Sequence, residues 1–221
     1  MHVPPLWRES RLGFEAAQLL RSPVWRGAGV APGEGRHRSR LREVGPVMRV
    51  ESTPIRGLLA VALDVNADAR GWFKENWQRE KMVAAGLPDF GPVQQNISFN
   101  AEVGTIRGIH AEPWDKYVSI VSGRAFCAWV DLRAGDTFGE TFWTELDPSK
   151  AMFVPRGVAN SFQVLEAGTT YSYLVNDHWQ ADATYANVSL FDPALAIPWP
   201  LAPTNVSAKD ESHLPLAQVQ P

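Results

Sequence analysis

The chain of 221 residues is 45% hydrophobic, with a net charge of −3 and a pI of about 6.0. It is long enough to bury a substantial core, and its overall charge does not draw it to nucleic acid. A single cysteine, Cys127, excludes an internal disulfide and a multi-cysteine metal site, and no stretch approaches the roughly 18 apolar residues of a membrane-spanning helix, so the reading is a cytoplasmic protein that engages neither membrane nor nucleic acid.

Residues 1–47 differ from the rest. They hold eight arginines, no lysine and four glutamates, a net +4 against −7 for the remainder. "GAGVAPGEGRHRSR" shows no apolar period, which predicts a disordered basic extension, while "RLGFEAAQLLRS" fits a short helix. Gly27, Gly29 and Gly33 approach a dinucleotide fingerprint, but the last spacing is wrong and no strand precedes them. Met48 is expected to be the natural start, the preceding residues reflecting an over-long reading frame, with a transit peptide as the alternative. The working domain is then residues 48–221.

From Met48 onward the text becomes short strands with turn signals between them. "LLAVALDV" is followed by the turn "NADARG"; "VQQNISFN", "KYVSIVS", "AFCAWVDL", "ETFWTEL" and "TYSYLVND" each read as a strand. "WQREKMVAA", closed by Gly86, reads as a helix. Many short strands at regular spacing predict an all-β fold, a sandwich or closed barrel with a jelly roll as the leading choice, carrying a few short helices. Along "VQQNISFN", Gln94, Asn96 and Ser98 share one face and Val93, Gln95, Ile97 and Phe99 the other. The polar face either meets solvent or lines the barrel and holds a polar ligand.

"RGIHAEPWDKY" carries the chemistry. A glycine turn is expected to deliver His110 between Arg107 and Lys116. A cupin-type barrel often binds metal through two or three histidines and a carboxylate. Here His110 has Glu112 nearby but no second histidine in the stretch, and the later turn "PRGVANSF" offers Asn160 where a ligand histidine would stand, so no metal is expected. Cys127 sits mid-strand among apolar neighbours and reads as packed rather than nucleophilic. A lone histidine is most often structural. Between two cations, however, the uncharged imidazole is favoured, and such a base can take a proton from carbon beside a carbonyl while a lysine steadies the enolate oxygen.

From Met48 the chain resembles the dTDP-4-dehydrorhamnose 3,5-epimerase family of the cupin superfamily. The resemblance is carried by "DARGWFKE", "VQQNIS", "RGIH", "VDLRAGDTFG", "FVPRGVANSF", "YLVNDHW", "FDPALAIPWP" and "VSAKD" in the family's order. The form "RGIHAEPWDKY" is similar to epimerase domains fused to a dTDP-rhamnose reductase, which suggests a functional link to such a reductase. The resemblance implies a metal-free, cofactor-free jelly-roll homodimer acting on a dTDP-linked 4-keto-6-deoxyhexose and inverting C3 and C5. It implies His110 as base, Asp210 as the partner that orients it, Tyr173 as acid on the opposite face and Lys116 at the enolate oxygen. Arg70 and Arg107 would take the diphosphate, and Glu75, Gln94 and Asn96 the nucleotide or sugar. Several positions depart from the family pattern: Ala111 and Glu112 after the histidine, Asn160 in place of a histidine, Cys127 in place of an aspartate, and His178 and Trp179 in place of tyrosines. They leave open a C3-only epimerase or ketoisomerase on a related sugar nucleotide, and a non-catalytic sugar-nucleotide-binding partner of a reductase.

Overall fold

A computed structural model of the chain describes residues 48–180 and 185–220; the extension expected over residues 1–47 lies outside the described residues. The chain begins with β1 (Arg49–Ser52), β2 (Leu59–Ala62), β3 (Val65–Asp68), β4 (Gly71–Lys74) and helix α1 (Arg79–Ala84). Next come β5 (Gln94–Asn100), β6 (Ile106–Ala111), β7 (Lys116–Ser122), β8 (Ala125–Asp131) and β9 (Thr141–Leu146). It continues through β10 (Lys150–Val154), β11 (Val158–Val164), β12 (Thr169–Val175) and β13 (Ala186–Asn187), and ends in two 3-10 turns flanking α2 (Ala208–Glu211).

Two antiparallel sheets form a jelly roll. One runs β1-β2-β10-β7-β12-β5 and the other β13-β6-β11-β8-β9, while among the described residues β3 and β4 pair only with each other. Alternation along the strands builds three apolar layers. Val118 and Ile120 of β7 meet Cys127 and Trp129 of β8, with Met152, Phe162 and Tyr171, in the space between the sheets. Ile109, Val130 and Ala159 on the outer face of the five-stranded sheet are covered by Val188, Leu190 and Leu195 of the C-terminal segment. Tyr117, Ala151 and Phe153 on the outer face of the other sheet are covered by Met82 of α1 with Leu87 and Phe90. Strands β7 and β8 are therefore apolar on both faces, and they read in the sequence as nearly continuous hydrophobic runs. Burial of each large side chain in these layers is worth about 1.5–3 kcal/mol.

Two sequence expectations change. "LLAVALDV" is not one strand: it breaks after Ala62, and the segment taken as a turn contains β3, which forms a hairpin with β4 around Ala69 and Arg70. "RGIH" and "VANSF" are not turns either, but lie inside β6 and β11. Their Gly and Asn residues read as turn formers, yet here they serve a bulge and a cavity wall, as described below.

The loop "VDLRAGDTFG" is fixed by Asp131. Its fully buried carboxylate accepts from Arg133 N (3.1 Å), Nε (2.7 Å) and Nη2 (2.6 Å), and from Thr137 Oγ1 (3.0 Å). Burial alone would raise this carboxyl, but the bonds from Arg133 and Thr137 outweigh it and hold the group below its ordinary range. Its contribution to stability is thus present above the ordinary carboxylate pKa and is lost only as pH falls through the lowered value. Asp131→Ala is expected to cost about 3 kcal/mol in urea unfolding, because several polar groups lose one shared charged acceptor. A loss below about 0.5 kcal/mol would show that the loop does not depend on it.

Candidate active site

A cavity of about 300 Å³ opens between the two sheets, lined from one side by Arg107, His110, Asn160 and Phe162 and from the other by Ser98, Lys116, Tyr171 and Tyr173. Glu112, Ser207, Lys209 and Asp210 complete its wall.

Strand β6 supplies two of these residues through a bulge. Asn160 pairs with His110 and Phe162 with Arg107, so three steps along β6 span two along β11. The extra residue places Arg107 and His110 on the same face, which strict alternation would forbid. Gly108 sits within the bulge at φ +129°, and a side chain there would meet Ser161 Cα at 2.8 Å, so both the conformation and the close approach call for glycine.

Asp210 reaches the site from α2. Ser207 caps this helix, its Oγ accepting from Asp210 N at 3.1 Å. The buried carboxylate then faces β6: Oδ2 accepts from Gly108 N (3.2 Å), and Oδ1 lies 2.8 Å from His110 Nε2. Burial pushes the Asp210 carboxyl up, but the bond to His110, that ring's charge and the Gly108 amide prevail and hold it below the usual range. An ionised carboxylate selects the Nε2–H form of the imidazole, which leaves the lone pair on Nδ1.

Tyr173 and Lys116 come from the opposite sheet, on β12 and β7. Burial, followed by the negative charge of Glu112, raises the Tyr173 phenol above its ordinary value, so it stays protonated near neutral pH. Lys116 is buried, and its ammonium donates to the Glu112 carboxylate and to Asn160 Oδ1. Glu112 and Asn160, two of the positions weighed above as cupin metal ligands, are thus taken up by this ammonium, and that pair does not fit a metal ion. At the rim, Asn100 Oδ1 accepts from Arg107 Nε at 2.9 Å and holds that guanidinium toward the opening.

The fold therefore gathers His110, Asp210, Tyr173, Lys116 and Arg107 around one cavity. Gln94 and Asn96 lie on the same face of β5 as Ser98, bonded to each other at 2.9 Å, but do not line the cavity. Arg70 and Glu75 lie outside it: Arg70 is exposed at the β3–β4 turn with Asp68, and Glu75 pairs with Lys81 at 2.8 Å. Sequence reasoning did not assign Glu112 or Lys209 to the wall, although both lie inside quoted motifs. It also missed His213, whose ring lies edge-on to His110 at 5.3 Å between centroids. Burial, then the charge of His110, lowers the His213 imidazole below its ordinary value. Cys127 is fully buried, and burial pushes its thiol up, which suits a packing role.

The dTDP-4-dehydrorhamnose 3,5-epimerase family model matches residues 52–218. An RmlC homolog of Streptococcus pyogenes is 50% identical over 184 residues, covering 80% of this chain and 93% of that protein. A dTDP-4-dehydrorhamnose 3,5-epimerase of Sinorhizobium fredii is 36% identical, covering 67% of this chain and 78% of its own. The structure of RmlC from Streptococcus suis in complex with dTDP-D-xylose superposes with a TM-score of 0.77 at 47% identity, covering 80% of this chain and 95% of that one. With the family match spanning all but the first strand of the jelly roll and the His110–Asp210 pair set into its cavity, the chain belongs to the dTDP-4-dehydrorhamnose 3,5-epimerase family.

Proposed function

We propose that residues 48–221 act as an isomerase that inverts C3 and C5 of dTDP-4-dehydro-6-deoxy-D-glucose to give dTDP-4-dehydro-L-rhamnose. The observation that carries this reading is an imidazole, His110, and a phenol, Tyr173, on facing sheets of one cavity, with a buried Lys116 between Glu112 and Asn160. C3 and C5 both flank the C4 ketone, so their C–H bonds are the acidic ones. His110 Nδ1 takes the proton from one face. Negative charge then develops on the C4 oxygen, where Lys116 can meet it: two of its three N–H donors are taken by Glu112 and Asn160, and among the described residues the third has no partner. Tyr173 returns a proton to the other face, and that change of face inverts the centre. Arg107 and Lys209, both lining the cavity, suit the diphosphate oxygens. Incubation with this substrate and a dTDP-rhamnose reductase tests the assignment: reductase-dependent NADPH consumption supports it, and none refutes it.

Asp210→Asn checks the role of the dyad partner. The amide cannot hold Nε2–H as a carboxylate does, so kcat should fall about 10²- to 10⁴-fold with little change in KM. The lowered pKa of Asp210 keeps it ionised across the ordinary carboxylate range, so it should not supply the acidic limb of the pH–rate profile. A fall confined to KM would assign Asp210 to binding instead.

The assembly we infer is a homodimer in the cytoplasm. Strand β5 is a sheet edge that leaves Ile97 and Phe99, with Val93 just before it, exposed at 65, 65 and 56%. Arg70 and Glu75 do not line their own chain's cavity, which suits delivery to a partner's. Ile97→Lys should shift sedimentation from dimer to monomer; an unchanged dimer would place the interface elsewhere. Among the described residues no helix is long and apolar enough to cross a membrane.

A further inference from the structure

In the proposed chemistry His110 Nδ1 works on the substrate while Nε2 is held by Asp210. Around that held side, one potential ligand atom each from His110, Asp210 and His213 lie within 4.8 Å of one another. The two imidazole nitrogens aim at the same carboxylate oxygen, from 2.8 Å and 4.0 Å. The His213 side chain is only 6% exposed, and neither ring nitrogen makes a full hydrogen bond among the described residues; Asp210 Oδ1 at 4.0 Å and the Gly108 backbone are polar groups near it. A buried imidazole this poorly satisfied is costly, since its nitrogens have left water with little compensation.

We propose that His110, Asp210 and His213 form an inhibitory site for a zinc-like divalent cation, distinct from the barrel positions around Lys116. Two imidazoles and a carboxylate are a common zinc donor set, and tetrahedral ligands at about 2.0–2.1 Å from the ion lie about 3.3 Å apart. The His110–Asp210 pair needs to open slightly and His213 to close by under about 1.5 Å. Borderline ions with a liking for nitrogen fit this set, whereas magnesium, which prefers oxygen, does not. Inhibition follows from the tautomer. An ion on Nε2 displaces the hydrogen that Asp210 holds there, so the proton of the neutral ring must sit on Nδ1. That atom then has no lone pair to take a proton from substrate. The ion also occupies the Asp210 oxygen that orients the ring.

Binding stands on this geometry alone; the inhibitory half rests on His110 being the epimerase base. Calorimetric titration of the full chain with zinc alone, without substrate, should show one ion bound per chain. His213→Gln and His213→Ala, each checked for fold by circular dichroism, should both weaken it at least about tenfold. Cobalt should give a visible tetrahedral spectrum that both variants lose. Absence of saturable zinc binding, or equal binding in both variants, which would assign the ion to other histidines, overturns the site. If zinc binds through His213 but turnover of the wild type is untouched, the inhibitory role is overturned. Because binding is read without substrate, failure of the epimerase assignment would not mimic failure of the site.

Discussion

His110→Ala is expected to lose turnover of dTDP-4-dehydro-6-deoxy-D-glucose almost completely. In the proposed mechanism a single imidazole takes the proton at both carbons, so no second group can carry half of the reaction. General base catalysis alone contributes about 10²- to 10⁴-fold, and loss of the oriented pair with Asp210 places the effect at the upper end. KM should change little, because the diphosphate contacts assigned to Arg107 remain. The cavity should tolerate the change: His110 is half-buried, and its backbone remains paired with Asn160 and Asn187. Steady-state kinetics with a coupled reductase, alongside thermal unfolding of the variant, separates lost chemistry from lost fold. Retention of more than about a tenth of wild-type kcat would remove His110 from the role of base.

Tyr173→Phe is the second large effect, and its character differs. The ring still packs near Tyr171, whose own ring stacks on Phe162 at 4.3 Å, so the wall keeps its shape. What disappears is the proton that burial and Glu112 keep on the phenol oxygen. Abstraction by His110 should continue and return should come mostly from the same face, giving exchange without inversion. Product formation should fall at least about 10²-fold while hydrogen exchange falls much less. Equal losses in exchange and product would mean that Tyr173 does not act as the opposite-face acid.

The strands that the sequence announced are those with simple causes. β7 and β8 are apolar on both faces and stand out as runs; β5 alternates between a polar, part-buried face, from which Ser98 reaches the cavity, and an exposed apolar face with Ile97 and Phe99. β6 did not read as a strand because Gly108, needed for the bulge, carries the signature of a turn. That same bulge places Arg107 and His110 on one face, a relation that three residues of sequence spacing does not convey. The approach of Asp210 to His110 across a hundred residues was available only through the family resemblance, since it depends on how the C-terminal segment packs over the five-stranded sheet. His213 carried no local signal at all: it follows the quoted motif by three residues, and its place behind the dyad is set by tertiary packing. Arg70 and Glu75 were legible as motif residues, but their hairpin pairs with neither main sheet and leaves them outside their own chain's cavity.

The most direct test follows the sugar hydrogens. The protein is incubated with dTDP-4-dehydro-6-deoxy-D-glucose in deuterium oxide and the product is read by proton NMR. Wild-type protein should lose the signals at both C3 and C5 as solvent deuterium enters, and His110→Ala should leave both in place. Deuterium entering the sugar at the wild-type rate in His110→Ala would contradict the account, because the proton would then be taken by another group.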